Sequence, residues 1–301
     1  MMTKKTKSAA ILGFLVSAFV GSSCVNEKHG NDPAAAEQTE QSANSETSIP
    51  YDLSRPEKFN MPQNLFEISG ITFYKGDSKT IYAIQDEDGD LFNLALGDKS
   101  SKFTKFGGSG DYEDLAIIDD HFIVLKSNGE LHTFPMKGID QPEASNVVKT
   151  KDLVPKAEYE GLATDEEAGM VYILDKEVKK GKADGNTIYA FKFDGGKFTP
   201  GATTTLSFKE IGKLAGESKM KFRPSALTKN PLTGEWYIIS SINKLLVVTD
   251  ADFKIKATAP LKGDNFNQPE GIAFDKAGNL YISNEGGTLA AGNVLKFSLK
   301  K

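Results

Sequence analysis

An all-β ring of repeated four-stranded units is the fold this sequence predicts, and three observations predict it. A short phrase of Glu or Ser, then a small or acidic residue, then Ile or Leu recurs at Ser69-Gly70-Ile71, Glu113-Asp114-Leu115, Glu160-Gly161-Leu162, Ser225-Ala226-Leu227 and Glu270-Gly271-Ile272. After each phrase comes a turn and an aromatic-led strand: Ile81-Tyr82-Ala83-Ile84, His121-Phe122-Ile123-Val124, Val171-Tyr172-Ile173-Leu174, Trp236-Tyr237-Ile238-Ile239 and Leu280-Tyr281-Ile282-Ser283. β-Branched and aromatic residues dominate between Gly, Asp and Asn turns, and no long helical period appears. A period of about 45 residues with four short strands per unit is that of one propeller blade. The count of phrases gives a five-bladed β-propeller; six blades are the alternative that length alone would allow.

The elements follow in chain order. Tyr51 to Phe59 reads as a strand that pairs with the last repeat, closing the ring and covering an edge that would otherwise be open. Third strands read at Leu91 to Leu96, Glu130 to Pro135, Thr187 to Phe193, Lys244 to Thr249 and Val294 to Leu299. Outer strands read at Lys102 to Phe106, Asn146 to Thr150, Thr203 to Phe208 and Phe253 to Ala259. Gly107-Gly108-Ser109-Gly110 precedes a strand instead of a helix, so it reads as a loop between blades and fails the context test for phosphate binding. The interval between the third and fourth phrases is the longest, and its excess is read as a Lys- and Gly-rich loop, Lys176 to Asn186, plus a short helix, Phe208 to Gly216.

Composition narrows the function. The chain has 301 residues, 36 Lys and Arg against 41 Asp and Glu, a net charge of −5 and one Cys. Basic residues are scattered, so there is no electrostatic footprint for nucleic acid. One Cys excludes an internal disulfide framework and a Cys-rich zinc site. Residues 1–23 carry Lys4, Lys5 and Lys7, an apolar run from Ala9 to Val20, and small residues before Cys24. The run is shorter than the roughly 20 residues of a spanning helix, so it reads as an export signal. The ending resembles the lipobox of bacterial lipoproteins, with Gly21 where Leu is usual, which makes Cys24 the lipidation site. Residues 24–50 are polar and free of aromatics through Pro50, the pattern of a disordered tether. The propeller domain is then 51–301. The expected location is the bacterial cell envelope, held to a membrane through lipid, inner or outer membrane unresolved.

Opening strands line a propeller's channel, so Glu113, Glu160 and Glu270 should meet at one mouth. Second strands run antiparallel and return to the same face. Their ends read Asp86-Glu87-Asp88, Asp175-Lys176-Glu177 and Asn284-Glu285, with Lys126 and Ser241 in the other two blades. Carboxylates packed this closely repel unless protonated or joined by a positive charge. Oxygen ligands without His or Cys point to Ca²⁺, with Glu113, Glu160, Glu270, Asp86, Glu87, Glu177 and Glu285 as candidate ligands. The alternative for the three Glu is hydrogen bonding to backbone N–H groups of the neighbouring blade. His29 lies in the tether, while His121 and His132 fall away from the mouth, so no hydrolytic triad has a base. Trp236 and the strand aromatics read as packing between blades.

The order Glu67-Ile68-Ser69-Gly70-Ile71, Asp111-Tyr112-Glu113-Asp114-Leu115, Tyr159-Glu160-Gly161-Leu162-Ala163, Pro224-Ser225-Ala226-Leu227 and Gln268-Pro269-Glu270-Gly271-Ile272-Ala273, then Gly278-Asn279-Leu280-Tyr281-Ile282 and Asn284-Glu285, resembles the SdiA-regulated family of bacterial propellers. That resemblance covers roughly Leu65 to Leu299 and implies a five-bladed ring distantly related to NHL repeats, with a Ca²⁺ site in some members. Asp114 stands where the family phrase usually has Gly, and Arg223 stands where an Asp is commoner, so a guanidinium near the mouth could replace part of a cation's role. The reading is an envelope-anchored, Ca²⁺-binding propeller that acts as a binding or scaffold module for an unknown small molecule or envelope protein. The alternative is a Ca²⁺-dependent propeller hydrolase, a lactonase or phosphoesterase, with Glu160 or Glu270 as base.

Overall fold

The computed structural model describes residues 49–177, 184–287 and 290–300. The expected signal segment, Cys24, nearly all of the tether and the middle of the Lys176 to Asn186 loop lie outside the described residues. β1 (Glu57–Asn60) opens the fold. Blade 1 then runs through β2 (Ile68–Thr72), β3 (Ile81–Gln85), β4 (Asp88–Leu94) and β5 (Lys102–Ser109). Blade 2 comprises β6 (Tyr112–Ile118), β7 (His121–Lys126), β8 (Leu131–Pro135) and β9 (Val148–Thr150). Blade 3 comprises β10 (Glu158–Asp165), β11 (Met170–Glu177), β12 (Gly185–Asp194) and β13 (Lys197–Ser207), followed by α1 (Phe208–Ala215). Blade 4 has β14 (Ala226–Lys229), β15 (Trp236–Ser240), β16 (Leu245–Thr249) and β17 (Ile255–Pro260). Blade 5 has β18 (Pro269–Phe274), β19 (Leu280–Asn284) and β20 (Asn293–Phe297), with β1 as its fourth strand. The opening strands β2, β6, β10, β14 and β18 face one another in turn around the axis. This is the five-bladed propeller that the repeats predict.

Strand alternation sends successive side chains to opposite faces of each blade, so each seam between blades becomes a separate core. Trp236 fills the seam between blades 3 and 4, stacked on Phe253 at 4.8 Å and edge-on to Tyr172 at 4.7 Å. Here the aromatic packing agrees with expectation. The helix does too: Ser207 Oγ accepts the Glu210 N–H, and Gly216 ends α1 in the left-handed conformation at φ 74°. No helix among the described residues is long and apolar enough to cross a membrane.

Three boundaries differ from the expectation, each for a local reason. Ring closure is antiparallel pairing of β1 with β20, from Glu57 opposite Lys296 to Asn60 opposite Asn293, and does not begin at Tyr51. Asp52 Oδ1 accepts the Ser54 N–H, making a turn, and Pro56 has no N–H to give. Tyr51 instead packs against Tyr237, and its hydroxyl donates to Gly278 O at 2.8 Å. β13 starts six residues early because Gly195 and Gly196, both at positive φ, reverse the chain directly after β12. Gly107 to Ser109 continue β5 instead of forming a loop; a Cβ on Gly89 would come within 2.5 Å of Gly107, so this close pairing demands glycine.

Candidate functional site

The recurring phrase places its glutamates by a register defect. In β6 the pairing passes from Tyr112 opposite Lys126 to Asp114 opposite Leu125, leaving Glu113 over. In β10 it passes from Tyr159 opposite Asp175 to Gly161 opposite Leu174, leaving Glu160. In β18 it passes from Pro269 opposite Asn284 to Gly271 opposite Ser283, leaving Glu270. All three glutamates are therefore bulge residues, and a bulge re-aims its side chain away from the normal alternation. The phrase's glycines let the neighbouring blade come close: a Cβ on Gly271 would meet Ser69 O at 2.5 Å. Between blades the polar ties are Ser283 Oγ to Ser69 O at 2.7 Å, Ser69 Oγ to Glu113 O at 2.5 Å, and Leu162 N–H to Asp114 Oδ2 at 2.8 Å.

Glu113, Glu160, Glu270, Asp86 and Glu285 line one funnel of about 240 Å³ at the channel mouth, joined by Glu67, Asp111, Glu158 and Lys176. Lys176 is the single basic residue of that lining. Its ammonium pairs with Glu160 and stands 3.8 Å from Glu158 Oε1. Burial pushes the Glu113 carboxyl up to about 8, with Asp111, Glu270 and Asp86 adding to it and Lys176 opposing. Glu285 is pushed up to about 7 by burial and by Glu270, Asp86 and Glu67. Glu270 also shifts up through burial, although Lys176 and the Ser225 and Ser241 hydroxyls favour its charged form. Asp86 shifts up for want of solvent, and its Oδ1 is buried without a hydrogen-bond partner. The funnel thus concentrates more negative charge than one ammonium answers.

Two of the seven expected ligand positions lie elsewhere. Glu177 pairs at 2.6 Å with Arg223 of blade 4, whose guanidinium is also 3.9 Å from Glu158, so the cationic substitute anticipated at Arg223 is there. Glu87 lines an adjoining cleft. The interblade locking role expected for the glutamates falls on their neighbour Asp114, fully buried, whose two oxygens accept the Leu115 and Leu162 N–H groups at 2.9 and 2.8 Å. Its replacement of the usual glycine was the available signal. Lys176 was visible at the return end of its strand, yet its charge was submerged in an acidic run. His121 and His132 keep away from the funnel: His121 Nδ1 is 2.7 Å from Asp119 O, and His132 Nε2 is 2.8 Å from Glu130.

As a Ca²⁺ site the mouth fits in donor chemistry, with carboxylate oxygens, no His or Cys, and an orphaned acceptor on Asp86. It is not a preformed cage: among the described residues no three His, Cys, Asp or Glu side chains are set to hold one metal ion. Positive charge reaches the crowded carboxylates chiefly from Lys176, with Arg223 beside Glu158 and Lys244 acting on Glu270 from outside the lining.

Solved propellers share the architecture. Glutaminyl cyclase from Myxococcus xanthus superposes with a TM-score of 0.54 at 15% identity, covering 80% of this chain and 94% of that one. The calcium-binding protein regucalcin from Agrobacterium tumefaciens strain C58 gives a TM-score of 0.47 at 13% identity, covering 83% and 94%. At 15% identity the likeness to the cyclase is one of fold. No curated protein matches the chain. The SdiA-regulated family matches residues 57–288, from the ring-closing strand to beyond β19, and the chain belongs to that family.

Proposed function

We propose that this propeller is a binding module of the bacterial cell envelope, anchored through lipidated Cys24, whose acidic mouth recognises a cation. One observation carries the reading: bulged glutamates from three blades open into one funnel, with an orphaned acceptor on Asp86 and Lys176 as the one basic residue of the lining. Among metal ions, Ca²⁺ suits these donors best. Glu160, Glu270 and Asp86 would hold it once the Lys176 ammonium gives way, and the bound ion would neutralise the crowded carboxylates. The natural ligand is a small molecule or envelope protein that presents or accompanies such a charge.

Calorimetric titration and thermal melts with Ca²⁺ test this. Saturating Ca²⁺ should raise Tm by roughly 5–10 °C. Glu270→Gln should weaken binding at least tenfold, and Lys176→Gln should tighten it by removing the competing ammonium. Absence of both heat and stabilisation would refute the Ca²⁺ assignment. Anchoring is read separately: Cys24→Ser should move the protein from the membrane to the soluble fraction, and unchanged fractionation would refute it. Turnover of lactones or phosphoesters that Glu270→Gln abolishes would replace the binding module with a hydrolase.

A further inference from the structure

A second cavity, of about 280 Å³, opens beside the mouth on blade 1 and the segment that leads into it. Strand alternation turns Asp88, Asp90 and Phe92 of β4 toward it, Phe66 and Glu67 form the facing wall, and Phe103 of β5 forms the lip. Phe103 is 53% exposed, an unusual waste of an aromatic ring, and lies 6.0 Å from Phe92. No basic residue lines the cleft.

Comparison between blades isolates the unusual group. Ala83 opposite Phe92 in blade 1 corresponds to Val124 opposite His132 in blade 2, so Asp90 and Glu130 occupy equivalent positions two residues earlier. Glu130 is answered by His132 at 2.8 Å and by Lys151 at 3.2 Å. Asp90 has no ion-pair partner among the described residues, and Lys105 opposite it across the strand pair makes none. Burial raises its carboxyl and Asp88 adds to the shift, while the charge of Lys105 opposes it from beyond ion-pair distance. The cleft and the mouth share Glu67 as a common wall, and the mouth already accommodates a primary alkylammonium, that of Lys176.

We infer that this cleft binds an organic cation, an aliphatic amine whose ammonium is taken by Asp90 and Glu67 while its methylenes lie against Phe92 and Phe103. Carboxylates supply acceptors for all three ammonium hydrogens, aromatic faces attract the charge and cover the stem, and a hydrated metal ion has no methylenes to lay against those rings. A diamine or polyamine would extend past Glu67 and place its second ammonium at the mouth. Only that second contact rests on the cation reading of the mouth; the cleft stands on its own residues.

Titration of the full chain with spermidine, n-butylamine and Ca²⁺ tests the inference. Spermidine should bind more tightly than n-butylamine. Asp90→Asn, close to isosteric, and Phe103→Ala should each weaken both amines at least fivefold, with Ca²⁺ affinity unchanged. Asp140→Asn, an exposed acid elsewhere, should leave amine binding unaltered. Glu270→Gln should lower spermidine affinity toward that of n-butylamine without touching the latter. Amine binding that Asp140→Asn and Asp90→Asn reduce equally would mark unspecific attraction to an acidic protein and overturn the site, as would no amine binding at all. Amine binding that persists where Ca²⁺ fails to bind would sink the metal assignment at the mouth and leave the cleft standing.

Discussion

Glu113 ties the mouth to proton concentration. Its carboxyl ordinarily titrates at 4.5 and is pushed up to about 8 in the folded chain. Between those values the folded state keeps a proton that the unfolded state has released, so this contribution to stability is full below the lower value and is lost as pH rises through the higher one. Thermal melts should therefore show Tm falling from about pH 5 to about pH 9, and Glu113→Gln should flatten that slope. A slope that survives the substitution would place its origin in another group, with Glu285 next in line because it shifts the same way. The neighbouring Asp114 acts on packing. Asp114→Ala would leave the buried Leu115 and Leu162 N–H groups without acceptors, at about 1–3 kcal/mol each, measurable by chemical denaturation. Which glutamates meet was legible from their place in a repeated phrase. That Lys176 answers them was not, because the reach of one long side chain into a funnel leaves no periodic trace.

At the level of elements, β1 is the piece whose removal has the most definite outcome. It caps the outer edge of β20, and Val294 and Leu295 lie along that edge. Deleting the chain through Asn60 would expose an unpaired, largely apolar strand, so concentration-dependent aggregation should appear in light scattering well below the melting temperature of the intact protein. The inner three strands of each blade could be read from the sequence because alternation and turn residues mark them twice over. Outer strands were less legible. They pack on one side only, so their hydrophobic signal is diluted, and a glycine such as Gly107 that permits close pairing looks like part of a loop. The bulges were equally silent: a one-residue offset exists only relative to a partner strand, which no local pattern reveals.

For the molecule as a whole, the count of repeats decided the architecture, since five units sharing seams leave little else that their lengths could build. Every blade contributes to two cores, so none has a hydrophobic interior of its own. Unfolding should accordingly be one transition, with Trp236 fluorescence, which senses the seam of blades 3 and 4, coinciding with far-UV circular dichroism for all strands. Separated transitions would mean that a part of the ring melts alone. The bond from Lys300 N–H to Pro50 O, at 3.0 Å, brings the two ends of the described ring together, and Tyr51 beside them grips Gly278 in the turn between β18 and β19. That turn lies at the pole away from the carboxylates. Fusion partners, affinity handles or a chip surface joined to the ring directly at Pro50 or Lys300 would thus leave the acidic pole unobstructed, and a circular permutant cut between two blades could be rejoined across the short gap between those two residues.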